Sequence, residues 1–206
     1  MVFDLSKYLP KERTPLEAEK RMKYAQHYAE RLEHYGFYRD ESNAKAFDHL
    51  ADYFARWFAG TNGKASYPQK GLFIFGSKGT GKTTAMNIFS GLFGIEMIRI
   101  EDLTKAFACG KEKEFWQVVD DLKWRHLIVD DICNESEAKQ YGNKIPIADF
   151  LKQRESLWKY NGLYTFYTSN AKGRNELTEM YGDTITSRLL GSCEFIKLDG
   201  HDRRLQ

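Results

Sequence analysis

The most constraining feature of the chain is one run of eight residues, Gly76-Ser77-Lys78-Gly79-Thr80-Gly81-Lys82-Thr83. It satisfies the pattern G-x-x-x-x-G-K-[S/T] at every fixed position. An apolar run, LFIFG (72–76), leads into it. Ala85, Ile88, Phe89, Leu92 and Phe93 follow at the spacing of a buried helix face. Strand, glycine loop and helix in that order suit one kind of ligand. The glycines let successive backbone N–H groups turn inward onto phosphate oxygens, and the helix N-terminus adds a positive end. Lys82 supplies charge for the β- and γ-phosphates, and the Thr83 hydroxyl is placed to ligate Mg²⁺. The candidate nucleotide-binding residues are therefore Gly76, Ser77, Lys78, Gly79, Thr80, Gly81, Lys82, Thr83 and the adjoining Thr84.

Around this loop the chain alternates strand and helix. Further strands are expected at IEMIRI (95–100), HLIVDD (126–131), LYTFYTSN (163–170) and CEFIKLD (193–199). Helical material fills about 101–123 and 144–160, with short helices before the last strand. Apolar strands separated by helices predict an α/β fold, a parallel sheet covered on both faces. Residues 1–60 read as wholly helical, and 61–206 as the nucleotide-binding domain. Thr14-Pro15-Leu16-Glu17 has the pattern of a helix start, and Gly36 that of a helix end. Ala18, Met22, Ala25, Ala29 and Leu32 form one apolar stripe, and Ala44, Phe47, Ala51, Phe54 and Phe58 a second, so a helical hairpin is expected. The first stripe, with Tyr24, Tyr28 and Tyr35 beside it, serves either packing on the second helix or a partner, and packing is favoured.

The strand LIVDD ends in two acids, and a buried strand that ends in charge needs a reason. In a parallel sheet the carboxyl ends of the strands face the ligand. There Asp130 is expected to hold Mg²⁺, and Asp131 to orient or deprotonate the attacking water. Asn170 closes the fourth strand; spacing leaves open a γ-phosphate or water contact and an ordinary turn-initiating Asn. Arg188 lies in a helical segment, DTITSRLL, where the residues alone allow an arginine finger or a surface Arg.

Composition removes several classes. Lys+Arg minus Asp+Glu is 31 − 29 = +2, too balanced to identify a nucleic-acid binder by charge. Apolar residues make up 42% and charged residues 29%, which excludes wholesale disorder. The 3 cysteines, Cys109, Cys133 and Cys193, are scattered and form no disulfide framework or zinc site. The histidines show no metal-ligand spacing, so Mg²⁺ is the one metal expected. No stretch approaches the roughly 18–20 apolar residues of a membrane span, and the start MVFDLSKYLPKERTP lacks a signal peptide's apolar core. A cytoplasmic protein is expected. Lys7, Lys11 and Arg13 read as a solvated start.

Taken in order, these signals resemble the AAA+ ATPases, most closely the bacterial helicase loaders of the DnaC type and the IstB-type transposon helper ATPases. The resembling stretch runs from about Gly71 to Arg204. GLFIFGSKGTGKTT is similar to their Walker A block, and LIVDDICNE to their Walker B block with its downstream acid, Glu135. FYTSN resembles sensor 1, which makes Asn170 the sensor. ITSRLLGSCEFIKLDGHDRR resembles the block with the arginine finger, at Arg188, and a sensor-2-like residue at Arg204. The resemblance implies a P-loop αβα core with a five-stranded parallel sheet, ATP as cofactor, assembly through Arg188, and single-stranded DNA in the assembled channel. Many AAA+ proteins carry Glu where this chain has Asp131, and a shorter acid suits a slow switch. Seven residues follow the fifth strand, so no helical lid is expected.

The function these readings imply is an ATP-hydrolysing accessory factor of DNA replication, acting with a replicative helicase or another DNA-processing protein. A transposase helper that prefers duplex DNA, a small-molecule kinase and a nucleotide-binding module without turnover are the alternatives.

Overall fold

The computed structural model describes residues 15–108, 112–134, 146–200 and 202–203. Five strands form one sheet, β1 (Gly71–Phe75), β2 (Glu96–Arg99), β3 (Leu127–Ile132), β4 (Thr165–Ser169) and β5 (Cys193–Lys197). Their order across the sheet is β2-β3-β4-β1-β5, and every pairing is parallel. The helices are α1 (Ala18–His34), α2 (Ala44–Thr61), α3 (Lys82–Phe93), α4 (Ile100–Ala108), α5 (Glu112–Leu122), α6 (Pro146–Asn161) and α7 (Arg174–Ser192).

The inner strands β1, β3 and β4 are short and almost wholly buried because helices cover both faces. Side chains alternate between those faces. Leu72, Ile74, Ile128, Phe166 and Ile196 share one core with α2 and α3 on one side. Phe73, Val129 and Tyr167 meet α4, α5, α6 and α7 on the other. The result is the αβα sandwich expected from the sequence, with β4 set between the strand that leads into the glycine loop and the strand that ends in acids.

The N-terminal helices form a hairpin that is built into this sandwich. Helix α2 is buried on more than one face, with Phe47, Leu50, Tyr53, Phe54 and Trp57 all under 2% exposed. Trp57 packs among Tyr67, Phe89, His126, Tyr164 and Phe166. Helix α1 lies outside α2 and docks Tyr28 and Leu32 onto it, with Tyr24, Ala25 and Ala29 beside them. The expected α1 stripe therefore holds at Ala25, Ala29 and Leu32 and fails at Ala18 and Met22, which are exposed. Tyr24 and Tyr28, beside the stripe, reach Phe54 and Phe58 of α2, whereas Tyr35 is exposed. The helix also begins at Ala18, later than the Thr14 pattern suggested; Glu17 is extended at ψ 141°, and Thr14 lies outside the described residues.

Gly36 ends α1 as expected, at φ 86°. Phe37 N–H bonds Leu32 O at 2.8 Å and Gly36 N–H bonds Glu33 O at 3.0 Å, the paired bonds of a Schellman turn. That turn drives Phe37 inward, where it stacks on Phe47 at 5.8 Å. A charged chain ties the hairpin to the sheet edge. Arg21 pairs with Asp52, Asp52 with Arg56, and Arg56 grips both oxygens of Glu194 on β5 at 2.8 Å. His49 reaches the same carboxylate at 3.2 Å.

Candidate functional site

The site lies at the carboxyl ends of β1, β3 and β4, where a parallel sheet presents its ligands. After Phe75 the backbone enters the glycine loop. Gly79 and Gly81 both hold positive φ, 76° and 96°, a region costly for other residues. They also lack room for a side chain. A Cβ on Gly81 would stand 2.8 Å from the Phe37 ring, and one on Gly79 would collide with the Asp202 carboxylate. The loop is thus wrapped by the hairpin turn on one side and by residues 202–203 on the other.

Lys82 is buried, and its ammonium donates to Gly76 O at 2.9 Å and Ser77 O at 2.6 Å. Thr80 donates to Ser77 O at 2.9 Å, which closes the turn. Thr83 opens α3 and its hydroxyl lies 3.0 and 3.3 Å from the two Asp130 oxygens. A hydroxyl beside a buried carboxylate is a hard-oxygen pair that fits Mg²⁺.

Thr168 links the two acids. Its hydroxyl donates to Asp130 Oδ1 at 2.5 Å and accepts the Asp131 N–H at 2.8 Å. The Asp131 carboxylate is held from both sides, by Asn170 Nδ2 at 2.5 Å and Asn134 Nδ2 at 3.0 Å. Burial pushes the Asp131 carboxyl above the usual aspartate range, and the Asp130 charge adds to that. Lys82, Lys78 and the Asn134 hydrogen bond oppose the rise.

These groups surround one cleft of about 410 Å³. Lys78, Gly79, Gly81, Lys82, Thr83, Thr84, Asp131 and Asn170 all line it. Gly76, Ser77 and Thr80 belong to the loop's own bonded turn, and Asp130 stands behind Thr83. Of the residues singled out from the sequence, Arg188 stands apart. It is exposed on α7 and pairs with Glu155 of α6 at 2.8 Å. Arg204 and Glu135 lie outside the described residues.

Several site residues escape sequence reasoning. Arg203 lines the cleft, and its N–H bonds Gly79 O at 3.0 Å. Its guanidinium pairs with Asp40, donates to Tyr38 O at 3.3 Å and sits 5.8 Å from the Phe37 ring centre. Asp40 in turn caps the loop before α2, accepting from Ser42 and Asn43. Phe37, Asn134 and Thr168 also line the cleft. Thr168, Asn134 and Arg203 lie inside the sequence blocks quoted above without being singled out there, and Phe37 lies in none of them.

Comparison with known proteins places this geometry in context. No family model matches the chain, and no curated sequence relative matches it. Among solved structures, the chain is similar to the crystal structure of the DnaC helicase loader, with a TM-score of 0.54 and 18% identity. The match covers 78% of this chain and 92% of that one. The two share a fold.

Proposed function

We propose that this protein binds Mg·ATP in the cleft and hydrolyses it, as an AAA+ accessory factor of DNA replication of the helicase-loader kind. The observation that carries this reading is the convergence of Lys82, Thr83, Asp131 and Asn170 on one cleft at the strand ends, with Asp130 bonded to Thr83 behind it. The loop N–H groups and Lys82 hold the phosphates. Thr83 and Asp130 hold Mg²⁺, which when bound neutralises charge that builds on the phosphate oxygens. Asp131 accepts a hydrogen bond, and then a proton, from the attacking water. Asn170 orients that carboxylate and reads the γ-phosphate beside it. The Asp131 side chain is well suited to this task, because two amide donors already fix it.

Arg188 completes the site of a neighbouring copy. Its exposure on α7 and its absence from its own cleft support a role in trans. The shared fold with a helicase loader supports a helicase or similar DNA-processing protein as partner, and single-stranded DNA as ligand. The test is ATP turnover at several protein concentrations, alone, with single-stranded DNA and with duplex DNA. Turnover that rises with protein concentration and responds to single strands is the expected result. A response to duplex DNA alone would favour a transposase helper. Flat turnover indifferent to DNA would overturn the loader reading.

A further inference from the structure

The turn that carries the acids has an unusual backbone. Asp131 at φ 61° and Cys133 at φ 72° are the only non-glycine residues with positive φ among those described. Such positions persist where surrounding contacts over-determine them. Here three successive backbone groups are each held by a hydroxyl from another element. Asp131 N–H donates to Thr168 Oγ1 at 2.8 Å, Ser169 Oγ donates to Ile132 O at 2.8 Å, and Cys133 N–H donates to Tyr181 OH at 2.9 Å. The first two hydroxyls come from the neighbouring strand β4. The third comes from α7, a helix that shares no hydrogen-bonded ladder with β3. Tyr181 is 8% exposed, so its bond to the turn is sheltered from water.

We propose that Tyr181 is a positioning residue for Asp131: its hydroxyl fixes the far side of the acid turn and ties that turn to the helix that carries Arg188. The proposal rests on the reading of Asp131 as the group that handles the attacking water. The direction of the Asp131 carboxylate follows from its own backbone angles, and those are set by anchors on both sides. Thr168 supplies one anchor and Tyr181 the other. Without the second, the turn relaxes toward negative φ and the carboxylate leaves the Asn170 and Asn134 amides. The next residue, Gly182, breaks the helix at φ 80° and ψ 164°. The anchored tyrosine thus sits directly before a bend, and the segment 183–192 beyond it carries Arg188. A change of position at Arg188 has a short route to the acid turn through that bend.

The experiment compares the full chain with Tyr181→Phe, Asp131→Asn and the double variant in steady-state ATP hydrolysis with single-stranded DNA. Tyr181→Phe is expected to lower kcat about tenfold and to leave KM for ATP within about twofold. In the Asp131→Asn background the same change is expected to cost nothing further, because the residue acts through Asp131. Parent-like kcat in Tyr181→Phe overturns the proposal. So does an undiminished tenfold loss in the double variant, since Tyr181 then acts elsewhere. If Asp131→Asn itself hydrolyses ATP at the parent rate, the reading of Asp131 fails and the proposal falls with it. Hydrogen exchange at the Cys133 amide of the unaltered protein gives a second check that needs no variant. Slow exchange is expected, and exchange at the rate of an open loop overturns the anchor.

Discussion

At the scale of single residues, the site sets its acids against neutral donors and its buried lysine against backbone carbonyls. Lys82 is the group with the clearest consequence. Lys82→Ala should abolish tight Mg·ATP binding, because it removes the buried ammonium that the loop carbonyls hold at the start of α3; a titration with a fluorescent ATP analogue checks this, and unchanged affinity would sink the loop's assignment. Thr168 is more telling, since no motif pointed to it alone. Thr168→Val keeps the shape and removes both the bond to Asp130 and the acceptor for Asp131 N–H. A buried N–H left without a partner costs about 1–3 kcal/mol. We expect ATP binding to survive and kcat to fall by at least about tenfold, a split visible in parallel binding and turnover measurements. The glycine loop was legible because its pattern is local and its spacing fixed. The ties of Thr168 and Tyr181 to the acid turn were not, because they join residues 37 and 48 positions apart and no periodicity links them.

At the scale of elements, the strands were readable almost to the residue. The inner strands are buried on two faces and so read as short, largely apolar runs. The hairpin was less readable. A stripe count assumes one buried face, whereas α2 is enclosed between α1 and the sheet, and α1 packs through Tyr24 and Tyr28 beside its stripe as well as through the stripe itself. What fastens this hairpin also predicts a pH response. Burial, the largest single influence on Glu194, would raise its carboxyl, but the Arg56 and His49 bonds and charges outweigh it and hold the group at about 2. A carboxylate lowered in the folded state stabilises above its ordinary value near 4.5 and loses that contribution as pH falls toward 2. Glu194→Gln should cost about 1–2 kcal/mol at neutral pH, a modest figure because water reaches the pair. It should also flatten the loss of stability between pH 4.5 and 2, seen by urea unfolding across that range. Equal slopes in both proteins would remove Glu194 as the cause.

At the scale of the whole molecule, the site is shared among segments that the sequence keeps far apart. The turn after α1, the glycine loop, the acid turn and residues 202–203 all meet at one cleft. Among the described candidates Arg188 stands away from it, on α7, and its value depends on a second copy. Arg188→Ala should bind Mg·ATP as the parent does and lose at least about a hundredfold of the turnover that appears at high protein concentration. Equal turnover in the two proteins at every concentration would refute a role in trans. The margins of the sheet bear on how copies meet. Strand β2 has four residues and exposes Glu96 and Arg99, while β5 carries Glu194 and Lys197. A foreign strand approaching either margin meets charge and a very short ladder, and natural sheets use both devices against runaway pairing. Charged, short margins of this kind work against growth into fibres when copies crowd together.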